Sequence, residues 1–322
     1  MSLTVESTSF NLQYPIIKEF INTQLEKCYW TANEVKVEKD IHDVLVNLTP
    51  AERHGVFTTL KLFTLYEVRA GGDYWTGMFM NEFKQHECQE MAAAFGMVEL
   101  CIHKPFYNKI NELLNISNAE FYTDYVNNPV LKARMECIDK IIAHGSNLVS
   151  LGAFSLVEGV ILYSNFAFLK HFQSLGKNKL LNVVRGINFS VRDENLHSIA
   201  GAWVYNQLKK EVEVKPEYMG YIEGTIKEIA QTIYEHECAI IDMIFEKGEI
   251  EGITSESMKG FVGDRINMCL AHLNIHPILP DSNSSINDWF YAGINNFQFN
   301  DFFTGQGREY TRDWNEQGFI WK

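Results

Sequence analysis

The sequence predicts an all-α protein built as a helical bundle, and three observations carry that prediction. Only 7 prolines and 21 glycines punctuate 322 residues, too few breakers for an architecture of many short strands and turns. Long stretches repeat their apolar residues with the 3.6-residue period of a helix. No convincing run alternates apolar with polar residues, and no internal repeat or low-complexity segment appears. Hydrophobic residues make up 46% and charged residues 21%, the composition of a globular chain with a real core, which excludes disorder as a description of the whole. At about 150 residues per domain the length allows two domains or one large helical one. With no obvious linker, the expectation is one domain over residues 1–310 and a tail over 311–322.

Along the chain, residues from about Asp40 to Cys137 read as helices. LKLFTLYEVRAGG places Leu60, Phe63, Leu65 and Val68 on one side and is expected to stop at Gly71-Gly72. NEFKQHECQEMAAAFGMVELCIH continues the helical period for more than twenty residues. RMECIDKIIAHGSNLVSLGAFSLVEGVILYSNFAFLKHF is a further helix with a break expected near Gly145 or Gly152. LLNVVRGINFSVRDENLHSIAGAWVYNQLKKEV is another, ended by Lys209, Lys210 and Pro216. IKEIAQTIYEHECAIIDMIFEKG and SMKGFVGDRINMCLAHLNI complete the set. TRDWNEQGFIWK has no helical period and reads as a tail.

Charge and cysteine usage narrow the function. With 28 Lys and Arg against 41 Asp and Glu the formal charge is −13, so the net field repels phosphate and a nucleic-acid partner is not expected. Cys28, Cys88, Cys101, Cys137, Cys238 and Cys269 form no CxxC pair, which suggests neither a zinc ribbon nor a disulfide framework and makes a reducing cytoplasm the simplest compartment. The N-terminus lacks a basic start followed by an apolar run, and no stretch approaches about 18 uninterrupted apolar residues. Neither secretion nor membrane insertion is expected. No Gly-rich phosphate loop appears.

The sharpest chemical feature is Asp193-Glu194-Asn195-Leu196-His197, inside a helix with apolar neighbours. Three residues turn a helix by about 300°, so Glu194 and His197 face the same side and can bind one metal ion. Alone, such a pair is more often a solvated Glu-His pair. Its company changes the reading. Glu67 follows an aromatic and aliphatic stretch, Glu158 sits in SLVEGVILY, and Glu99 and His103 flank Leu100-Cys101-Ile102. A carboxylate in such surroundings costs several kcal/mol unless it is paired or metal-bound. One Glu from each of two helices, with a Glu-His pair from each of two others, is what a di-metal carboxylate site in a four-helix core requires. Such donors suit iron or manganese with open positions for dioxygen. The bland alternative has each Glu at the edge of its apolar stripe, reaching water.

From about Cys28 to Tyr310 the chain resembles the small, radical-generating subunit of class I ribonucleotide reductase, a family of ferritin-like fold. CYWTANEVKVEKD resembles the family's N-terminal Trp segment and TLYEVRAGG its first-ligand helix. Ile102-His103-Lys104-Pro105-Phe106-Tyr107 resembles the ligand histidine followed four residues later by the radical tyrosine. SLVEGVILYSNFAF and SVRDENLH resemble the third and fourth ligand helices, and DRINMCLAHLNIHPI with DFFTGQGREY the final helical region. The resemblance implies Glu67, Glu99, His103, Glu158, Glu194 and His197 as metal ligands and Tyr107 as the radical site, with Phe166 in the apolar wall around it. It also implies a radical-transfer route that begins at Trp30 and Asp193, with Tyr310 as the nearest candidate for a relay tyrosine. One helical turn separates His103 from Tyr107, so the phenol would lie beside the metal.

Three departures from the family pattern stand out. Glu67 occupies a position where many members have Asp, which leaves iron against manganese open. Glu99 precedes His103 by four residues, where the family has three, so a π-bulge is expected to restore the register. The segment after Tyr310 is shorter than the usual tail. The implied function is the small subunit of a ribonucleoside-diphosphate reductase, an oxidoreductase of deoxyribonucleotide biosynthesis. The implied cofactor is two Fe, with Mn/Fe or two Mn as alternatives. A homodimer, a large subunit docked through the tail and, for manganese, an activating flavoprotein are the implied partners. Two other functions stay open on the residues: a ligand-binding di-metal oxidase of the same fold acting on a small apolar substrate, and a non-catalytic metal-storage or scaffold protein.

Overall fold

Four prolines sit where helices begin: Pro15, Pro50, Pro129 and Pro216 each lie in the first turn of a helix, where the missing N–H had no intrahelical partner to lose. The computed structural model describes residues 2–212 and 215–291. In chain order its helices are α1 (Pro15–Asn22), α2 (Pro50–Val68), the single turn α3 (Met80–Glu82), α4 (His86–Val98), α5 (Lys104–Leu113), α6 (Ala119–Asn127), α7 (Pro129–Ile142), α8 (Asn147–Val160), α9 (Tyr163–Lys170), α10 (Leu181–Glu211), α11 (Pro216–Ile244), α12 (Ser255–His272) and α13 (Ile286–Phe290). No strand occurs among the described residues, only an isolated bridge between Ile250 and Ile253. The all-α prediction stands, and the six cysteines are free thiols.

The glycine pair after α2 does not stop the chain. Arg69–Phe79 continues as a π-helix through Gly71 and Gly72. Thr76 supports it by donating its hydroxyl to the Gly71 and Gly72 carbonyls, at 2.9 and 3.1 Å. Gly71 is there for closeness: a Cβ on it would lie 2.7 Å from Glu99 Cβ and 2.8 Å from Leu100 Cγ. The long helix expected over residues 81–103 is interrupted between Glu82 and His86, and its last turn, Glu99–His103, is a π turn that leads into α5. Gly145 lies in the break between α7 and α8, whereas Gly152 is interior to α8.

The stretch Asn147–Gln173, α8 with α9 and a short 3-10 turn, is long and apolar enough to cross a membrane, yet its apolar run is buried inside the protein. It serves as the central core element, packed against α7, α10, α11 and α12. It bends after Val160. The Ile161 carbonyl, left free by the bend, accepts from the buried Arg134 guanidinium. Arg134 also donates to Glu237 Oε1 at 2.5 Å, and Ser164 donates to Glu237 Oε2. Burial pushes the Glu237 carboxyl up to about 7 against the pull of Arg134.

The N-terminal arm completes the bundle by capping α10, which has no side-chain cap of its own. Asp40 accepts from the Val183 backbone N–H and Asn182 Nδ2, both at 2.7 Å, and Asp43 accepts from the Leu180 N–H at 3.0 Å. Orphan donors at the head of the longest helix are thereby satisfied from a distant part of the sequence.

Gly71→Ala should destabilise the protein by about 1–3 kcal/mol, because the added methyl group meets Glu99 and Leu100 in a packed interior. Urea unfolding measures this, and a variant of unchanged stability would mean that the π segment moves away freely.

Candidate metal centre

Glu67 is the penultimate residue of α2, Glu99 and His103 open and close the π turn after α4, Glu158 lies in α8, and Glu194 and His197 lie in α10. These six side chains converge, none of them more than 1% exposed. Ligand-competent atoms of Glu67, Glu99, His103 and Glu194 lie within 4.8 Å of one another, as do those of Glu99, Glu158, Glu194 and His197. Glu99 and Glu194 belong to both groups. The arrangement is therefore two adjoining positions, with Glu67 and His103 on one side and Glu158 and His197 on the other.

The π turn explains how Glu99 faces the centre despite its four-residue distance from His103. Four residues of α-helix overshoot a full turn by about 40°, and the wider π turn removes that overshoot. His103 Nδ1 lies 3.0 Å from Glu99 Oε2, 3.4 Å from Glu194 Oε1 and 3.6 Å from Glu67 Oε2. His197 Nδ1 lies 2.7 Å from Glu99 Oε1, 3.9 Å from Glu158 Oε2 and 4.0 Å from Glu194 Oε2.

Both oxygens of Glu67 and both of Glu194 are buried without a hydrogen-bond partner, and Oε1 of Glu99 and Nδ1 of His197 meet only each other. Orphaned polar atoms are expensive in a dry core, and here they point at one another. Burial and the Glu99 charge raise the Glu67 carboxyl well above the usual range, while burial with the charges of Glu99 and Glu158 does the same to Glu194. Burial would raise Glu99 too, yet the His103 charge and contacts from Glu67, His103 and His197 hold it well below that range. Burial opposes the charged form of both imidazoles, but surrounding carboxylates raise His103 well above its ordinary value and His197 to about 9. Without cations the cluster retains protons to limit its own repulsion. Four carboxylates match the charge of two divalent ions, and the oxygen-rich set with two imidazoles fits hard or borderline cations such as Fe(II) and Mn(II).

Each imidazole is held from behind. His103 Nε2 lies 3.0 Å from Asp193 Oδ2, which also accepts from Trp30 Nε1 at 2.8 Å. His197 Nε2 lies 3.0 Å from Gln24 Oε1, and Gln24 Nε2 donates to Asp193 Oδ1 at 3.2 Å. Gln24 thus ties together the outer partners of the two histidines, fixing which nitrogen of each faces the centre.

Tyr107 is fully buried and its hydroxyl has no hydrogen-bond partner. Burial and the nearby Glu67 charge raise the phenol well above its ordinary value, so it stays neutral. Its ring stacks on Phe63 at 4.1 Å and 12°, and lies 6.5 Å from the His103 ring. Phe166 reaches this wall through Phe63, with 5.7 Å between ring centroids.

The structure thus brings together the six acidic and imidazole residues, Tyr107, Trp30 and Asp193. Tyr310 and the 311–322 tail lie outside the described residues. Sequence reasoning missed Gln24, whose contacts cross more than 160 positions of sequence, and Trp75 and Tyr66, which donate to Glu158 Oε1 and Oε2 at 2.7 and 3.2 Å. The one signal was the aromatic density around Glu67.

Comparison with known proteins gives one family. The family model described as ribonucleotide reductase, small chain, matches residues 6–285. A probable ribonucleoside-diphosphate reductase small subunit, 048L of Invertebrate iridescent virus 3, is 24% identical over 341 residues, covering 98% of this chain and 88% of the viral protein. The ribonucleoside-diphosphate reductase small subunit of Saimiriine herpesvirus 2 is 23% identical over 216 residues, 63% of this chain and 66% of that protein. Among solved structures, the dimanganese(II)-NrdF of Streptococcus sanguinis superimposes with a TM-score of 0.78 at 21% identity, over 90% of this chain and 99% of that one. The ribonucleotide reductase R2 subunit of Clostridium botulinum gives 0.75 at 19%, over 87% and 88%. At these identities the structural likeness speaks to the fold.

Manganese(II) titration followed by elemental analysis should give about two ions per chain, and Glu194→Ala or His197→Ala should lower that number. Unchanged occupancy in both variants would sink the site. Glu99→Ala tests the π turn separately, because binding untouched by it would remove Glu99 from the centre.

Proposed function

This protein belongs to the ribonucleotide reductase small-chain family, and from that premise we propose that its six buried side chains hold a di-metal centre that serves to generate a radical on Tyr107. As the small subunit of a ribonucleotide reductase it passes that oxidising equivalent to a separate large subunit, where ribonucleotides become deoxyribonucleotides. The observation that carries the reading is the Tyr107 phenol, buried without a partner one turn from His103. With its ring fully buried and Phe63 stacked on it, an oxidised Tyr107 is shielded from water and from reductants, and the nearby Glu67 carboxylate lies on the side where its proton would go.

Bound in this cluster, two iron ions would supply the oxidising power by reacting with dioxygen, with Mn/Fe or two Mn as alternatives that the Glu67 carboxylate also suits. The residues of the chain do the rest. Glu67 and Glu194 surrender the protons they retain when cations enter, and Asp193 and Gln24 keep the imidazoles aimed inward. Trp30 lies at the outer end of the series Trp30, Asp193, His103. Its Nε1 proton already points at Asp193 Oδ2, so electron transfer through the indole leaves its proton beside an acceptor.

The protein acts as a homodimer in the cytoplasm, with its metal route through an activating flavoprotein if manganese is used. The tail, residues 311–322, docks on the large subunit. Trp314, Phe319, Ile320 and Trp321 supply its apolar anchors, Asp313 and Glu316 keep it soluble, and Tyr310 just before it is assigned as the relay. Aromatic anchors dominate the affinity of such segments.

Tyr107→Phe should abolish the tyrosyl absorption band and radical resonance, and turnover with them, while metal content is retained. Because the phenol is unpartnered, its loss should leave thermal stability equal or slightly higher. A radical that survives would move the assignment to Tyr66 or Tyr163. Deletion from Thr311 onward should leave metal binding and the Tyr107 radical intact but eliminate large-subunit binding, read by surface plasmon resonance. Unchanged affinity would place the docking surface on the helical body.

A further inference from the structure

The four carboxylates of the centre are not held alike. Glu67 and Glu194 have no hydrogen-bond donor on either oxygen, and the oxygens of Glu99 face the two imidazoles. Glu158 is held at both ends, by the Trp75 indole N–H on Oε1 and by the Tyr66 hydroxyl on Oε2. Both donors are neutral. They fix the orientation of Glu158 without cancelling its charge, so each oxygen keeps a lone pair and the group keeps its attraction for a cation.

Trp75 cannot turn away. It is fully buried, with the Phe95 ring at 5.0 Å, Phe79 at 5.1 Å and Tyr74 at 5.0 Å. Its ring also meets His197 edge-on at 5.9 Å. Its contacts at the centre are thus with Glu158 and His197, both on the same metal position. The π segment Arg69–Phe79 explains how Trp75 arrives there. Eight residues of α-helix beyond Glu67 would leave Trp75 about 80° off the Glu67 direction, and the wider π turns bring it back toward the centre.

We propose that Trp75 and Tyr66 are positioning residues that orient Glu158 and thereby set the affinity of the metal position on the His197 side, leaving the His103 side unaffected. The inference rests on the di-metal reading above. Neither residue is a ligand, so each acts only through the carboxylate it holds.

Full-length protein is titrated with Mn(II), with free ion followed by electron paramagnetic resonance and heats by calorimetry. Tyr66→Phe removes one hydroxyl and keeps the ring, and Trp75→Phe removes the indole donor and keeps an aromatic filler. In each, one of the two binding steps should weaken by about 10- to 100-fold, as for loss of an outer partner of a ligand, while the other stays within about twofold. Adding His103→Ala to Tyr66→Phe should abolish the remaining tight step, and adding His197→Ala should not. Equal weakening of both steps, no weakening in Tyr66→Phe, or loss of the tight step with His197→Ala would overturn the assignment. Fewer than two ions bound by the wild-type protein would instead overturn the di-metal reading itself, and this inference with it.

Discussion

Four carboxylates share a dry interior, and most of what is unusual in this chain answers to that constraint. Carboxylates this close repel, and burial removes the water that would screen them. Each of the two ligand groups holds one imidazole among its carboxylates. Retained protons on Glu67 and Glu194 and raised imidazoles relieve part of the repulsion. The remainder is an electrostatic demand that two divalent cations satisfy. Burial of unpaired carboxylates is a poor way to stabilise a bundle, so the cluster is better understood as stability given up for a site.

Local helix geometry is bent to the same purpose. Four π segments occur among the described residues, and three of them, Thr23–Lys27 with Gln24, Arg69–Phe79 and Glu99–His103, border the centre. A π turn sacrifices good hydrogen-bond geometry and is found chiefly where function requires it. Here one π turn aligns Glu99 with His103, and another swings Trp75 onto Glu158. Gly71 lets the two segments approach until a methyl group would not fit. The bend after Val160 follows a related logic: it lies just beyond Glu158, and Arg134 with Glu237 satisfies the carbonyl it exposes.

The N-terminal arm connects the centre to the outside. Asp40 and Asp43 pin it to the start of α10, the helix that carries Asp193, Glu194 and His197. Gln24 and Trp30, on the same arm, then meet Asp193. A shift of the arm would disturb the imidazole orientation and the Trp30 contact together, which makes the arm part of the site rather than packing around it.

Much of this was legible in the sequence, because helical period and the cost of a buried charge are local properties. The scarcity of breakers and the 3.6-residue pattern gave the helices, and carboxylates inside apolar runs at helical spacing singled out Glu67, Glu99, Glu158 and Glu194. The four-residue interval between Glu99 and His103 keeps both on one face and already pointed to a π turn, since a wider turn restores the register. Gly71-Gly72 misled because a glycine pair ends a helix or thins it with the same letters; only the neighbouring helix, pressed against Gly71, decided between them. Gln24, Trp75 and Tyr66 were invisible for a related reason. Their partners lie on other helices, and a hydrogen bond across 80 or more positions leaves no periodic trace in the sequence that makes it. Composition and spacing determined which residues must be buried with charge. Tertiary packing alone decided which neutral donors hold those charges, because that depends on where separate helices cross.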